Sequence, residues 1–155
     1  MGHVRNIVME GDPVLRKQAV KVQRFNIVLH KLMDDMKYTM YDAKGVGLAA
    51  PQIGISKQIV VLDDKEHGYQ ELVNPQIVFR EGAEEGPEYC LSVARCGGRV
   101  NRATHVKVTY QDRNGQCQNC EAEGFYARVL QHEIDHLYGR LFVDVMTEEI
   151  KDEDE

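Results

Sequence analysis

The chain carries Gln131-His132-Glu133-Ile134-Asp135-His136, an H-E-x-x-H motif. Residues four apart on a helix lie one above the other on the same face. His132 and His136 can therefore aim two imidazoles at one cation, and Glu133, one residue on, can reach a water beside it. The chemistry that suits this set is hydrolysis, with the cation as Lewis acid and Glu133 as general base. Taken alone, the motif also fits a polar helix face or a pair of core histidines. A catalytic cation usually takes a third protein ligand. Asp144, Glu148 and Glu149 are the downstream carboxylates, and Cys90 is the upstream candidate.

The elements that must position these groups follow from periodicity. Leu29, Met33, Met36 and Met40, widened by Val28 and Leu32, predict an amphipathic helix over about 25–43 that ends at Gly45. A second helix over about 123–137 carries the motif, with Phe125, Val129, Leu130, Ile134 and Leu137 as its apolar set and Gly139 as its cap. Strands are expected at 58–62, 71–73, 76–79, 105–111 and about 116–121. Asn74-Pro75 separates the second from the third, and Asn114-Gly115 turns a hairpin. Residues 4–22 read as irregular and 80–87 as a loop. Helix, strands, then helix predicts an α+β fold: antiparallel β-sheets packed around a central C-terminal H-E-x-x-H helix, with an N-terminal helix.

The chain has 155 residues, enough for one core, with 43% hydrophobic and 28% charged residues. The expected organisation is one catalytic domain over 1–147 and an acidic, disordered tail over 148–155. A net charge of −6 without a basic cluster argues against nucleic-acid recognition. No run is long and apolar enough to span a bilayer, and the N-terminus lacks a signal-peptide core, so the expected location is cytoplasmic. There, Cys90, Cys96, Cys117 and Cys120 are expected to be free thiols or ligands. Cys117 and Cys120, three apart on a strand, face opposite sides and read as ordinary thiols.

Three ordered blocks resemble the peptide deformylase family. Gly45-Val46-Gly47-Leu48-Ala49-Ala50-Pro51-Gln52 matches its G-φ-G-φ-A-A-x-Q, Glu88-Tyr89-Cys90-Leu91-Ser92 is close to its E-G-C-x-S, and Gln131–His136 matches its Q-H-E-x-D-H. The similarity runs through about residues 5–145. It implies removal of the formyl group from the N-terminal formyl-methionine of nascent chains, with release of formate. It also implies Cys90, His132 and His136 as ligands of one divalent metal ion. Ferrous iron is the family's usual metal, with zinc, nickel or cobalt able to replace it. Zinc is what the ligand types alone suggest.

The resemblance further makes Glu133 the general base and acid, with the Gln52 amide and the Leu91 N–H as oxyanion donors. Substrate backbone is expected along Val46-Gly47 and Tyr89. Val46, Phe125 and Val129 are expected to wall the methionine pocket, and Arg99 to meet the peptide. Asp135 is expected to pair with Arg102, and Glu88 and Ser92 to hold the cysteine loop.

Two stretches depart from the family. Tyr89 stands where the family nearly always has Gly, and Val93–Arg99 replaces a more frequent V-P-G-type loop. Both bear on substrate handling, so the competing readings are an amide hydrolase or deformylase with altered acyl or peptide preference, and a catalytically silent deformylase-like binding module. The expected partners are formyl-methionyl nascent peptides. The ribosome is a further candidate, but the acidic end rules out the basic C-terminal docking helix of some bacterial members.

Overall fold

A computed structural model describes residues 2–151. Two helices, α1 (Ile27–Asp42) and α2 (Gly124–His136), accompany eight strands: β1 (Gly47–Ala49), β2 (Ile59–Asp63), β3 (Tyr69–Glu81), β4 (Glu84–Cys90), β5 (Val93–Arg102), β6 (His105–Gln111), β7 (Cys117–Glu123) and β8 (Glu148–Lys151). One sheet runs β1-β2-β3-β6-β7 and the other β4-β5-β8. Every pairing between these strands is antiparallel, as the α+β reading expects.

β2 explains the layering. Its four apolar residues are all fully buried, because both faces of the sheet are covered. Val60 and Leu62 face α2, while Ile59 and Val61 face α1. The methionine stripe packs as expected, with Met33, Met36 and Met40 fully buried. Val28 does not join it: it is 68% exposed on the outer face of α1. Asn26 caps this helix by accepting from Leu29 N–H. On its other side α2 meets the β4–β5 hairpin, so Tyr126 through His136 are buried without interruption.

Three expectations about the strands are corrected. Asn74-Pro75 does not break the strand: β3 continues through it with a bulge between Val73 and Gln76. Asn74 adopts φ +52°, and its side chain exchanges hydrogen bonds with both Val22 N–H (2.8 Å) and Val22 C=O (2.9 Å). The expected loop at 80–87 is instead the end of β3 and most of β4, where exposed polar residues hide the strand signal. In the expected tail, Glu148–Lys151 form β8, paired with Cys96–Arg99 of β5. Backbone pairing with a neighbouring strand outweighs the local acidic composition there. Residues 152–155 lie outside the described residues.

The irregular N-terminal segment works as a strap. Val8 N–H donates to Gln52 C=O (2.7 Å), Glu10 N–H to Ser92 C=O (2.7 Å), and Ala19 N–H to Leu137 C=O (2.7 Å). It thereby ties together the glycine-rich loop, the cysteine loop and the end of α2.

Candidate metal centre

Cys90 ends β4, while His132 and His136 occupy successive turns of α2. Their ligand atoms all lie within 4.8 Å of one another, the one such cluster among the described residues. Cys90 Sγ is 3.4 Å from His136 Nε2. Two such ligands sharing one tetrahedral cation would sit about 3.5 Å apart. The donor set, its spacing and its burial therefore fit a divalent cation.

The electrostatics fit as well. Burial holds His136 well below the usual imidazole range, in the neutral form that can ligate. Burial also opposes charge on His132, but Cys90 and Glu88 outweigh it and push that imidazole upward. The two imidazoles thus sit in unlike surroundings, His132 between the Cys90 sulfur and the Glu88 carboxylate and His136 in a buried neutral one.

Glu88 fixes the first histidine. Its Oε1 accepts from His132 Nδ1 (2.8 Å), leaving Nε2 to face the site. The same carboxylate accepts two hydrogen bonds from Arg102 (2.8 and 2.9 Å) and one from Arg128 (2.8 Å). Burial alone would raise its proton affinity, yet hydrogen bonds from Arg102 and His132 hold it down at about 2. Arg102 also donates to Asp135 (2.6 Å), so the expected pair forms. Arg128 further donates to the carbonyls of Val100 (2.9 Å) and Glu84 (2.8 Å), fastening α2 to both strands of the hairpin. The sequence reading missed Arg128. The signal available was its place four residues before His132, on the ligand face of a buried helix.

Glu133 is buried, and its Oε1 is an unpartnered buried polar atom. Burial pushes its carboxyl up to about 7, with His132 acting in the opposite sense. Such a group can both take and return a proton near neutral pH. Gly47 makes room for it. A methyl on Gly47 would come within 2.6 Å of Glu133 Oε2 and 2.9 Å of its Cδ. Gln52 is oriented from both ends: its Oε1 accepts from Ala49 N–H (2.9 Å), and its Nε2 donates to Ser92 Oγ (3.1 Å) and faces Cys90 Sγ (3.5 Å).

Two adjoining cavities open at the site. One, of about 250 Å³, lies between Gly45–Gly47, Gln52, Leu91 and Glu133. The other, of about 150 Å³ and mainly apolar, is bounded by Val46, Pro87, Phe125, Val129 and His132.

The sequence signature of polypeptide deformylases matches residues 4–152. The chain belongs to the polypeptide deformylase family. It is 50% identical over 141 residues to a peptide deformylase of Desulfitobacterium hafniense, which covers 91% of this chain and 93% of the relative. Among solved structures, it resembles a peptide deformylase from Thermotoga maritima with a TM-score of 0.90 and 42% identity, covering 94% of this chain and 99% of that one. A peptide deformylase from Synechococcus elongatus in complex with actinonin gives a TM-score of 0.88 and 43% identity, covering 92% of this chain and 78% of that one.

Within this deformylase fold, most of the expected site residues converge. Val46, Gly47, Tyr89 and Leu91 line the first cavity with Cys90 and His132, and Val46, Tyr89, Phe125 and Val129 line the second. Phe125 sits at the rim, 55% exposed. Arg99 does not join them. It donates to Glu85 (2.8 Å) on the outer side of the β4–β5 hairpin and lines neither cavity. Among the described residues, no helix is long and apolar enough to cross a membrane.

Proposed function

We propose that this chain removes the formyl group from the N-terminal formyl-methionine of newly made polypeptides and releases formate. One observation carries the reading: a Cys/His/His ligand cluster beside a buried glutamate whose Oε1 has no partner within the protein. An unpaired buried carboxylate oxygen is costly, and a purely structural scaffold has no use for one. That favours the hydrolase over a silent binding module on the same fold.

Cys90, His132 and His136 would hold a divalent cation, which would supply Lewis-acid polarisation and lower the pKa of a water. Ferrous iron is the occupant proposed from the family resemblance, with zinc, nickel or cobalt as substitutes. Glu133 takes the water's proton through its free oxygen and returns it to the leaving amine. Water adds to the formyl carbon, the C–N bond breaks, and formate and a free methionyl N-terminus leave. The Gln52 Nε2–H and the Leu91 N–H are the proposed donors to the developing oxyanion. Gln52 is suited because Ala49 and Ser92 already fix its amide.

The substrate backbone lies along Val46-Gly47, at the outer edge of β1, and the methionine side chain fills the smaller apolar cavity. Nascent chains in the cytoplasm are the proposed source of substrate. The deciding assay compares formate release from formyl-Met peptides with turnover of acetyl-Met and unblocked peptides, using anaerobically purified protein of known metal content. Formate from the formyl peptide alone is expected; turnover confined to acetyl or unblocked peptides would overturn the proposal.

A further inference from the structure

The two departures from the family noted in the sequence touch each other in space. Tyr89 follows Glu88, which turns inward to His132, and precedes Cys90, which turns inward to His136. Alternation along β4 therefore sends the Tyr89 side chain to the opposite, outer face. There the β4–β5 ladder is irregular. Glu88 pairs with Gly98 and Cys90 with Val93, so β4 advances two residues while β5 advances five. A bulge of this kind re-aims a side chain, and the Tyr89 ring comes to rest on Gly97.

A methyl on Gly97 would lie 2.6 Å from Tyr89 Cδ1, and closer still to Cε1. On the other face of β5, a methyl on Gly98 would meet Met146 Sδ at 2.8 Å and Phe142 Cε1 at 2.9 Å. The Gly97-Gly98 pair thus admits a ring on each side of the strand, and Tyr89 has a seat that any larger residue at 97 would take away.

Although seated, Tyr89 remains 57% exposed, and it borders both cavities of the cleft. The cleft runs between the outer edge of β1 and the outer edge of β4, each the terminal strand of its sheet. An extended peptide entering it alternates its side chains between two faces. With the methionine directed inward to the apolar cavity, the side chain of the following residue points outward, to the face that Tyr89 occupies.

We propose that Tyr89, seated on Gly97, is a specificity-determining residue that reads the second residue of the substrate and favours an aromatic or large apolar side chain there. The inference rests on the deformylase reading above. Ring-on-ring and ring-on-aliphatic contact is the recognising chemistry; the phenol hydroxyl is not required.

The test measures kcat/KM for formyl-Met-Phe, formyl-Met-Leu, formyl-Met-Ala and formyl-Met-Gly amides. Competition by the deformylated Met-Phe and Met-Gly amides supplies a binding readout. Wild type is expected to prefer Phe over Gly in both. Tyr89→Gly should reduce that Phe-to-Gly ratio by about threefold to tenfold, the span expected of one aromatic contact. Tyr89→Phe should keep the ratio. Gly97→Ala, which forces the ring off its seat, should lower it as Tyr89→Gly does, and it decides the matter if Tyr89→Gly fails to fold.

A wild-type ratio near one, a ratio unmoved by Tyr89→Gly or Gly97→Ala, or a loss equal across all four substrates would overturn the proposal. Absence of formate from every wild-type reaction would instead overturn the deformylase reading, and this inference with it.

Discussion

Replacing Glu88 with Gln removes one charge at the point where four donors converge. His132 Nδ1, two nitrogens of Arg102 and one of Arg128 all give hydrogen bonds to this carboxylate, at 2.8–2.9 Å. A Gln side chain accepts at one end only. Whichever way its amide turns, its NH₂ meets N–H donors: His132 and Arg102 at one position, or Arg102 and Arg128 at the other.

The cost can be worked two ways. The carboxyl is held at about 2, against an ordinary 4.5, a shift equivalent to about 3 kcal/mol. Breaking a buried ion pair by removing one partner typically costs about 3–5 kcal/mol. The two agree, and against a total stability of roughly 5–15 kcal/mol they are large. A neutral partner for His132 Nδ1, whichever way the amide turns, should also lower metal affinity about 10–100-fold. Urea unfolding of the metal-free protein measures the first effect, and chelator competition of the metal-loaded protein measures the second. Equal midpoints and equal metal affinity for wild type and Glu88→Gln would refute the role given to this carboxylate. Because its folded-state value is depressed, Glu88 contributes stability that is complete above the unfolded value near 4.5 and is lost as pH falls toward about 2.

Gly47→Ala should keep metal binding but cost about 100-fold in kcat, because its methyl displaces the Glu133 carboxylate; metal analysis with steady-state kinetics checks both halves. Asp35→Asn should cost about 1 kcal/mol at pH 7, because Asp35 accepts from His3 N–H and Arg5 Nε at 2.7 and 2.8 Å. Burial opposes ionisation of Asp35, but the hydrogen bonds from His3 and Arg5 lower its value overall. The gap between mutant and wild type should therefore close as pH drops below the ordinary 3.8, which urea midpoints at pH 7 and pH 3 would reveal. Leu130→Ala, in the core between α2 and the larger sheet, should lower stability by about 2–5 kcal/mol in urea unfolding without changing the bound-metal stoichiometry. Removing residues from 148 onward should make Cys96, now 3% exposed beside β8, react with a thiol reagent faster than in the full chain.

The parts of the fold and site that could be read from sequence were those with a local signature. The methionine stripe of α1, the unbroken apolar run of β2 and the H-E-x-x-H spacing each announce a geometry within a few residues. Cys90 announces nothing by spacing; only the blocks around it, taken in order, point to a ligand. The misses share a cause. Glu148-Glu149 and Glu84-Glu85 are acidic and exposed, and they are in strands because β5 offers both segments backbone partners, for Glu148-Glu149 from about 50 residues earlier in the chain. Asn74-Pro75 looks like a break until Val22, 52 residues away, is seen to exchange hydrogen bonds with the Asn74 side chain. Arg128 and the full reach of Glu88 depend on the hairpin folding over α2, contacts spanning 40 or more residues. Tyr89 could be noted as unusual, but its seat on Gly97 exists only once β5 bulges past it.

The measurement that bears most directly on the metal centre is formate release by wild type and Glu133→Gln, each reconstituted with one equivalent of ferrous iron under anaerobic conditions and analysed for bound metal. Wild type should release formate from a formyl-Met peptide, and Glu133→Gln should bind the same metal yet turn over at least about 100-fold more slowly. Equal rates at equal metal content, or one equivalent of metal retained after Cys90, His132 and His136 are all replaced by Ala, would contradict the site described here.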